Sequence, residues 1–306
     1  MAYDDRTCPG GARADRPGHI PIATTGVSKA GDPPDGAVRV SIGAVPIDRI
    51  TMNETVARIK TFQHQVRENA AKVVTVNAQF IVLARQEQDF ADLLTSADLS
   101  VADGVPLIWA SRLLGTALPE RVNGTDLMMR LCKEAAVDGS TLYFLGGRPG
   151  AAECAANLMR NELPKLKIVG VDCPPYGFLD DVNEERRVAE RIALARPDLL
   201  FVGLGAPKQE YWIKQYSHLP VKVMIGIGGS FELIAGFQRR APLTFQKAGC
   251  EWLWRLCMEP RRLWRRYLVG NTIFVYIILR LWLNRCSKGK IADKVMRKGN
   301  VPGAII

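Results

Sequence analysis

From Val38 onward the chain alternates two patterns of apolar residues. Short apolar blocks, "KVVTV" (72–76), "DLSVA" (98–102), "TLYFL" (141–145), "LKIVGV" (166–171), "LLFVG" (199–203) and "VKVMIGI" (221–227), read as strands, the first of them buried. Between them, apolar positions recur at the three-to-four-residue spacing of helices. "TMNETVARIKTFQHQV" (51–66) opens on a threonine with a glutamate three residues later, a capping-box start, and "GTDLMMRLCKEAAVDG" (124–139) stops at glycine. "RVSIGAVPID" (39–48) reads as a strand or the start of a hairpin. Strands separated by helices predict an α/β fold over residues 37–242, a mostly parallel sheet with helices on both faces. Residues 1–36, rich in Gly, Pro, Asp and Ala without periodicity, predict a disordered leader.

After "RRAPLTFQKAG" (239–249) the pattern changes. Residues 243–306 form a basic, aromatic appendage that holds four of the six tryptophans: Trp252, Trp254, Trp264 and Trp282. Wound as a helix, Trp252, Leu253, Leu256, Leu263, Trp264 and Tyr267 share one side, and Arg255, Arg261, Arg262, Arg265 and Arg266 take the other, with Pro260 splitting the segment in two. Basic amphipathic helices with interfacial tryptophan lie on membranes. Residues 267–283 are the most apolar stretch, but Asn271 and Arg280 interrupt it, and its length is at the lower limit for crossing ~30 Å of hydrocarbon. The pattern therefore favours a helix lying in the interface over a span, with a helix packed back on the core as the alternative.

Charge sharpens this picture. The net charge is +10, yet from Arg239 onward 15 Lys and Arg face 3 Asp and Glu, so the first 238 residues carry −2. The appendage thus expects an anionic membrane surface as its partner. Nucleic acid is not expected, because the aromatics are fused into apolar runs instead of standing singly for base stacking. The apolar faces of the appendage could also pack in a homo-oligomer. Seven scattered cysteines without CxxC spacing argue against a zinc knuckle or a disulfide framework and suit a reducing compartment.

Ligands of open α/β sheets bind beyond the carboxyl ends of the strands. Thr75 and Asn77 follow the first long strand, and Asp103 and Gly104 the second. Gly146, Gly147 and Gly150 follow "TLYFL", Asp172 follows "LKIVGV", Lys208, Gln209 and Glu210 follow "LLFVGLG", and Gly228, Gly229, Ser230 and Glu232 follow "VKVMIGI". Three Gly-rich turns opening helices point to a diphosphate ligand, since such turns bring backbone N–H groups close to phosphate. Lys208, at a helix start where the dipole disfavours a cation, fits an anion site, with Glu210 as partial counter-charge. None of the three histidines (His19, His64, His218) ends a strand, so a base must be a carboxylate; Asp103 is the best placed, its alternative being a helix cap for "PLIWAS". No Asp-x-Asp pair occurs, so a Mg²⁺-bridged nucleotide-sugar site of the common kind lacks its ligands and no metal is expected. A leaving diphosphate then needs cations, for which Arg121, Lys208 and the appendage arginines are candidates. "LGGRPG" with Asp172 keeps a nicotinamide-dependent oxidoreductase or epimerase as an alternative, and a non-catalytic membrane scaffold is a second one.

Taken in order, "TVNAQ", "VADGVPL", "PERVNGTDL", "LGAPKQEYW", "IGGSFELIAG", "RRAP" and "EWLWRLCMEPRR" resemble the signature segments of the WecG/TagA/CpsF glycosyltransferases, from about Val38 to Arg266. The resemblance implies a Rossmann-like core and an inverting, metal-independent transfer from a UDP-sugar donor to a polyprenyl-diphosphate-linked sugar; a sugar transfer of this kind also calls for no cofactor. It implies action in bacterial cell-surface polysaccharide synthesis, with the protein cytoplasmic and peripherally bound to the inner face of the plasma membrane. By position it implies Asp103 as catalytic base with Thr75 beside it, and Asn77 in the same pocket. Arg121 and Gln209 match donor-handling residues, and Arg255, Arg262 and Arg265 match arginines that reach the diphosphate. Two positions depart from the family's pattern: Val76 replaces the proline of Thr-Pro-Asn, and Glu232 replaces an aspartate.

Overall fold

The computed structural model describes residues 38–242, 244–245, 249–264 and 268–299, without the side chains of Arg262 and 288–299. The expected leader and Arg265 lie outside the described residues. The hairpin forms first, as antiparallel β1 (Arg39–Ile42) and β2 (Val45–Asp48). α1 (Met52–His64) follows with the expected capping box: Thr51 accepts from the Glu54 N–H, and Glu54 accepts from the Thr51 N–H at 2.7 Å. The chain continues through β3 (Ala71–Val76), α2 (Ala78–Gln86), α3 (Gln88–Thr95), β4 (Leu99–Ala102), α4 (Val105–Leu113), α5 (Gly124–Asp138) and β5 (Thr141–Gly146). Then come α6 (Ala151–Glu162), β6 (Lys167–Asp172), α7 (Val182–Ala195), β7 (Leu199–Gly203), α8 (Lys208–Gln215), β8 (Val223–Gly226) and α9 (Ser230–Ile234).

Strands β3 to β8 make one six-stranded sheet in the order β4-β3-β8-β7-β5-β6, parallel at every pairing. Side chains alternate between its faces with the period of two that a pleat imposes. Leu142 and Phe144 of β5, with Leu199 and Phe201 of β7, enter the layer shared with α1, α5 and α6; Leu145 with Leu200 and Val202 enters the layer shared with α7 and α8. β5 and β7 are neighbours, yet the chain leaves β5 outward to β6 through α6 and leaves β7 the other way to β8 through α8. The connections diverge there, on opposite faces, and open the crevice in which doubly wound sheets hold ligands. The three glycine-terminated strands β5, β7 and β8 stand side by side at this crevice.

The appendage contributes α10 (Glu251–Met258), α11 (Pro260–Trp264) and α12 (Gly270–Gly299). Pro260 opens a new helix at the break expected there, where its missing N–H leaves no bond unmade. The wheel itself fails within α10: Trp252 and Arg255, assigned to opposite sides, stand three residues apart on one helix and both line the same cavity. In α12 one stripe packs back on the core, where Phe274, Ile277 and Ile278 are buried beside Phe80 and Ile81 of α2. Burial of each such side chain stabilises by roughly 1.5–3 kcal/mol. Ile273 and Leu281 are partly buried against the same cluster, whereas Val275, Tyr276, Leu279, Trp282 and Leu283 are exposed. Among the described residues no helix is long and apolar enough to cross a membrane.

Candidate functional site

A cavity of about 940 Å³ opens at the carboxyl ends of the strands, between the core and α10. Asp103 forms part of its floor. Its backbone continues the β3–β4 ladder, with Asp103 N–H donating to Val76 C=O at 2.6 Å, before Gly104 turns the chain at φ 144°. Gly104, not Asp103, is the N-cap of α4, which replaces the helix-cap alternative. The Asp103 carboxylate instead accepts the Gly124 N–H at the start of α5. Burial raises its pKa from 3.8 to about 6, against the pull of Arg121 and Arg255 and with the help of Glu251. A carboxylate tuned in this way is ionised at neutral pH and basic enough to take a proton.

Thr75 is buried beside it, and its hydroxyl donates to the Gly226 carbonyl at 2.9 Å. Its only proton therefore ties β3 to β8, leaving oxygen lone pairs toward the cavity. Asn77 caps α2 by accepting the Gln79 N–H at 2.9 Å. Both residues line the cavity.

The Gly-rich wall is built by close backbone approach. A Cβ on Gly146, whose φ is +99°, would lie 2.9 Å from the Gly203 carbonyl, and the Gly147 N–H donates to that carbonyl at 2.9 Å. Gly229 leads into α9, where Glu232 accepts the Arg148 N–H at 3.0 Å through one oxygen and keeps the other buried without a hydrogen bond. Gln209 is only 2% exposed: its oxygen accepts the Gly228 N–H at 3.0 Å and its amide donates to Glu210 at 2.6 Å. It thus holds the Gly228–Gly229 turn in shape from beneath. Glu210 is itself buried, at 1% exposure, with one carboxylate oxygen close under Gly226. The Lys208 ammonium sits 5.8 Å from the centroid of the exposed Tyr176 ring at the cavity edge.

The third wall is α10. Glu251 pairs with Arg121 at 2.8 Å, Glu259 with Arg148 at 2.9 Å, and Gln238 donates to Glu259 at 3.1 Å. Burial opposes the charge of Arg121, but Glu251, Asp103 and Asp126 outweigh it and raise its pKa. Arg255 lines the cavity between the two glutamates. Arg240 grips Asp126 with one nitrogen at 2.6 and 2.8 Å from the two carboxylate oxygens. Of the appendage arginines expected at a diphosphate, Arg255 faces the cavity, and Arg262 is described only by its backbone on α11. Glu251, Glu259, Arg148 and Arg240 were not anticipated. Their one sequence signal is the four-residue spacing of Glu251, Arg255 and Glu259, which aligns them on one helix face.

The dinucleotide alternative loses its acid. Asp172 lies outside the cavity lining, forked by Arg191 Nε at 3.0 Å to both oxygens and bonded to the Tyr143 hydroxyl. No three His, Cys, Asp or Glu among the described residues gather as metal ligands. The cavity therefore presents one tuned carboxylate, Gly-rich backbone turns, and the cations Arg121, Arg148, Lys208, Arg239, Arg240 and Arg255.

Residues 40–288 match the profile of the Glycosyl transferase WecG/TagA/CpsF family. The chain is also 34% identical over 243 residues to the N-acetylglucosaminyldiphosphoundecaprenol N-acetyl-beta-D-mannosaminyltransferases of Staphylococcus aureus strains MRSA252, MW2 and NCTC 8325. Those matches cover 79% of this chain and 92% of each relative.

Proposed function

This chain belongs to the WecG/TagA/CpsF glycosyltransferase family, and we propose that it moves a hexose-type sugar from a UDP-sugar to a sugar carried on a polyprenyl diphosphate. The reaction is one inverting displacement. Asp103 takes the proton of the acceptor hydroxyl as that oxygen bonds to the anomeric carbon of the donor. The bond from that carbon to the β-phosphate oxygen breaks, and UDP leaves with the electron pair. The observation that carries this reading is the Asp103 carboxylate, with its pKa near 6, between Arg121 and Arg255 and across from the Gly-rich turns. General-base help of this kind is worth about 10²–10⁴-fold. Arg121, Arg255 and the helix N-termini behind Gly147 and Gly229 meet the charge that develops on the leaving UDP without a metal. Gln209 acts by holding the Gly228 turn and Thr75 by holding β8 against β3, so each shapes the site through backbone.

The acceptor's lipid carries the reaction to a membrane. The open apolar stripe of α12, Val275, Tyr276, Leu279 and Leu283, with the basic surplus of the appendage, supports peripheral attachment to the cytoplasmic face of a bacterial plasma membrane, where cell-surface polysaccharides are started. Two assays test the reading. Incubation with a panel of UDP-sugars and short-chain polyprenyl-diphosphate-sugar acceptors in EDTA must release UDP. Flotation with anionic vesicles must carry the protein upward; if it stays below while migrating as a dimer, the stripe is a subunit contact.

A further inference from the structure

Helix α10 crosses the cavity mouth as a strap, and its charged positions alternate in sign: Glu251, Arg255, Glu259. The two glutamates sit at its ends, and each is taken by an arginine of the core. Arg148 belongs to the Gly-rich turn after β5, and Arg121 is one of the cations facing the Asp103 carboxylate. Stability alone gives a poor reason for this arrangement. The Arg121 and Glu251 side chains are mostly withdrawn from water, at 19% and 28% exposure, and the cost of desolvating two charges offsets much of their attraction. The pair also brings a second carboxylate near Asp103, which disfavours the charged base.

The chemistry of the contact gives a better reason. A guanidinium holds carboxylate and phosphate oxygens in the same way. In the structure the Glu251 carboxylate already holds the Arg121 guanidinium, at 2.8 Å. We propose that Glu251 is a positioning residue that stands in for the ligand's diphosphate: it orients Arg121 and holds the strap closed while the site is empty, and it gives Arg121 up when a diphosphate arrives. This rests on the reading of the cavity as a UDP-sugar site. Arg255, one turn along the same strap, keeps α10 over the bound anion once Glu251 has let go. On departure of UDP, Glu251 retakes Arg121 and so favours product release. Glu259 stands in the same relation to Arg148.

The exchange has a sign that simple damage would not produce. Removing the competing carboxylate should tighten anion binding. In calorimetry on the full chain, Glu251→Gln is expected to bind both UDP and inorganic pyrophosphate roughly tenfold more tightly than wild type, ~1.4 kcal/mol. Glu251→Asp, which keeps the charge, is expected to return affinity toward wild type. In turnover, Glu251→Gln should lower the donor KM and lower kcat together as release slows. If Glu251→Gln does not fold, Glu259→Gln, which frees Arg148, must tighten pyrophosphate binding instead. Unchanged or weaker binding in the folded variant overturns the proposal. The pyrophosphate ratio decides this even if wild type fails to bind UDP, a result that would sink the nucleotide-sugar reading instead; a wild type that binds neither anion refutes both.

Discussion

Replacing Asp103 with asparagine should make the protein more stable at neutral pH while removing its activity. The carboxyl has its pKa raised from 3.8 to about 6, first of all by burial. At 1.36 kcal/mol per pH unit, that displacement corresponds to roughly 3 kcal/mol of preference for the neutral form in the folded protein. A raised carboxyl contributes its stabilisation in full below pH 4 and loses it as pH climbs through 6. At pH 7.5 the wild type therefore bears the whole penalty. Water reaches the carboxylate through the cavity, which brings the expected effect to about 1–3 kcal/mol. Asparagine has nearly the same shape, can still accept the Gly124 N–H and never ionises. Urea unfolding of Asp103→Asn at pH 7.5 should show a gain of about 1–3 kcal/mol, or several degrees in Tm, and little difference at pH 4. Transfer activity should fall by about 10²–10⁴-fold. A variant equally stable at both pH values, or less stable than wild type at pH 7.5, would refute the claim that burial strains this carboxylate.

Three other outcomes follow from the same structure. The acid limb of kcat/KM should report Asp103 near pH 6, with activity lost as pH falls through it, and Glu251→Gln should move that limb to lower pH because Glu251 raises the Asp103 pKa; a limb below pH 4.5 in wild type would contradict this. Thr75→Val should lower stability by about 1–3 kcal/mol in urea unfolding, since the buried Gly226 carbonyl loses its partner from Thr75. Phe274→Ala should free α12 from α2, read as faster amide exchange across 270–287, with a local cost of about 3–5 kcal/mol.

The elements themselves were largely legible in the amino-acid order. Strands buried on both faces appear as unbroken apolar runs, and Thr51 with Glu54 announces its helix because the capping box is local chemistry. The same locality made Asp103 visible, at the end of one such run. Sheet order was not legible, because it is decided by which faces pack, and the site's cross-connections depend on it. Thr75 meets Gly226 at a separation of 151 residues, and Gln209 meets Gly228 only because β7 and β8 are neighbours. For that reason Glu210 read as a counter-charge beside Lys208 at the helix start, and its burial beneath β8 did not show. The glutamate latches on Arg121 and Arg148 were equally out of reach, since no local rule says where an appendage docks. The apolar positions of α12 looked alike in sequence; packing on α2 divides them into a stripe that is covered and a stripe that is open.

The most direct test measures UDP release from a panel of UDP-sugars in EDTA, with and without a short-chain polyprenyl-diphosphate-sugar, for wild type and Asp103→Asn. At least one donor should give acceptor-dependent UDP release with the wild type, and the variant should bind UDP yet release almost none from that donor. Absence of release with every donor, or undiminished turnover by Asp103→Asn, would contradict the assignment of Asp103 as the base of a glycosyl transfer.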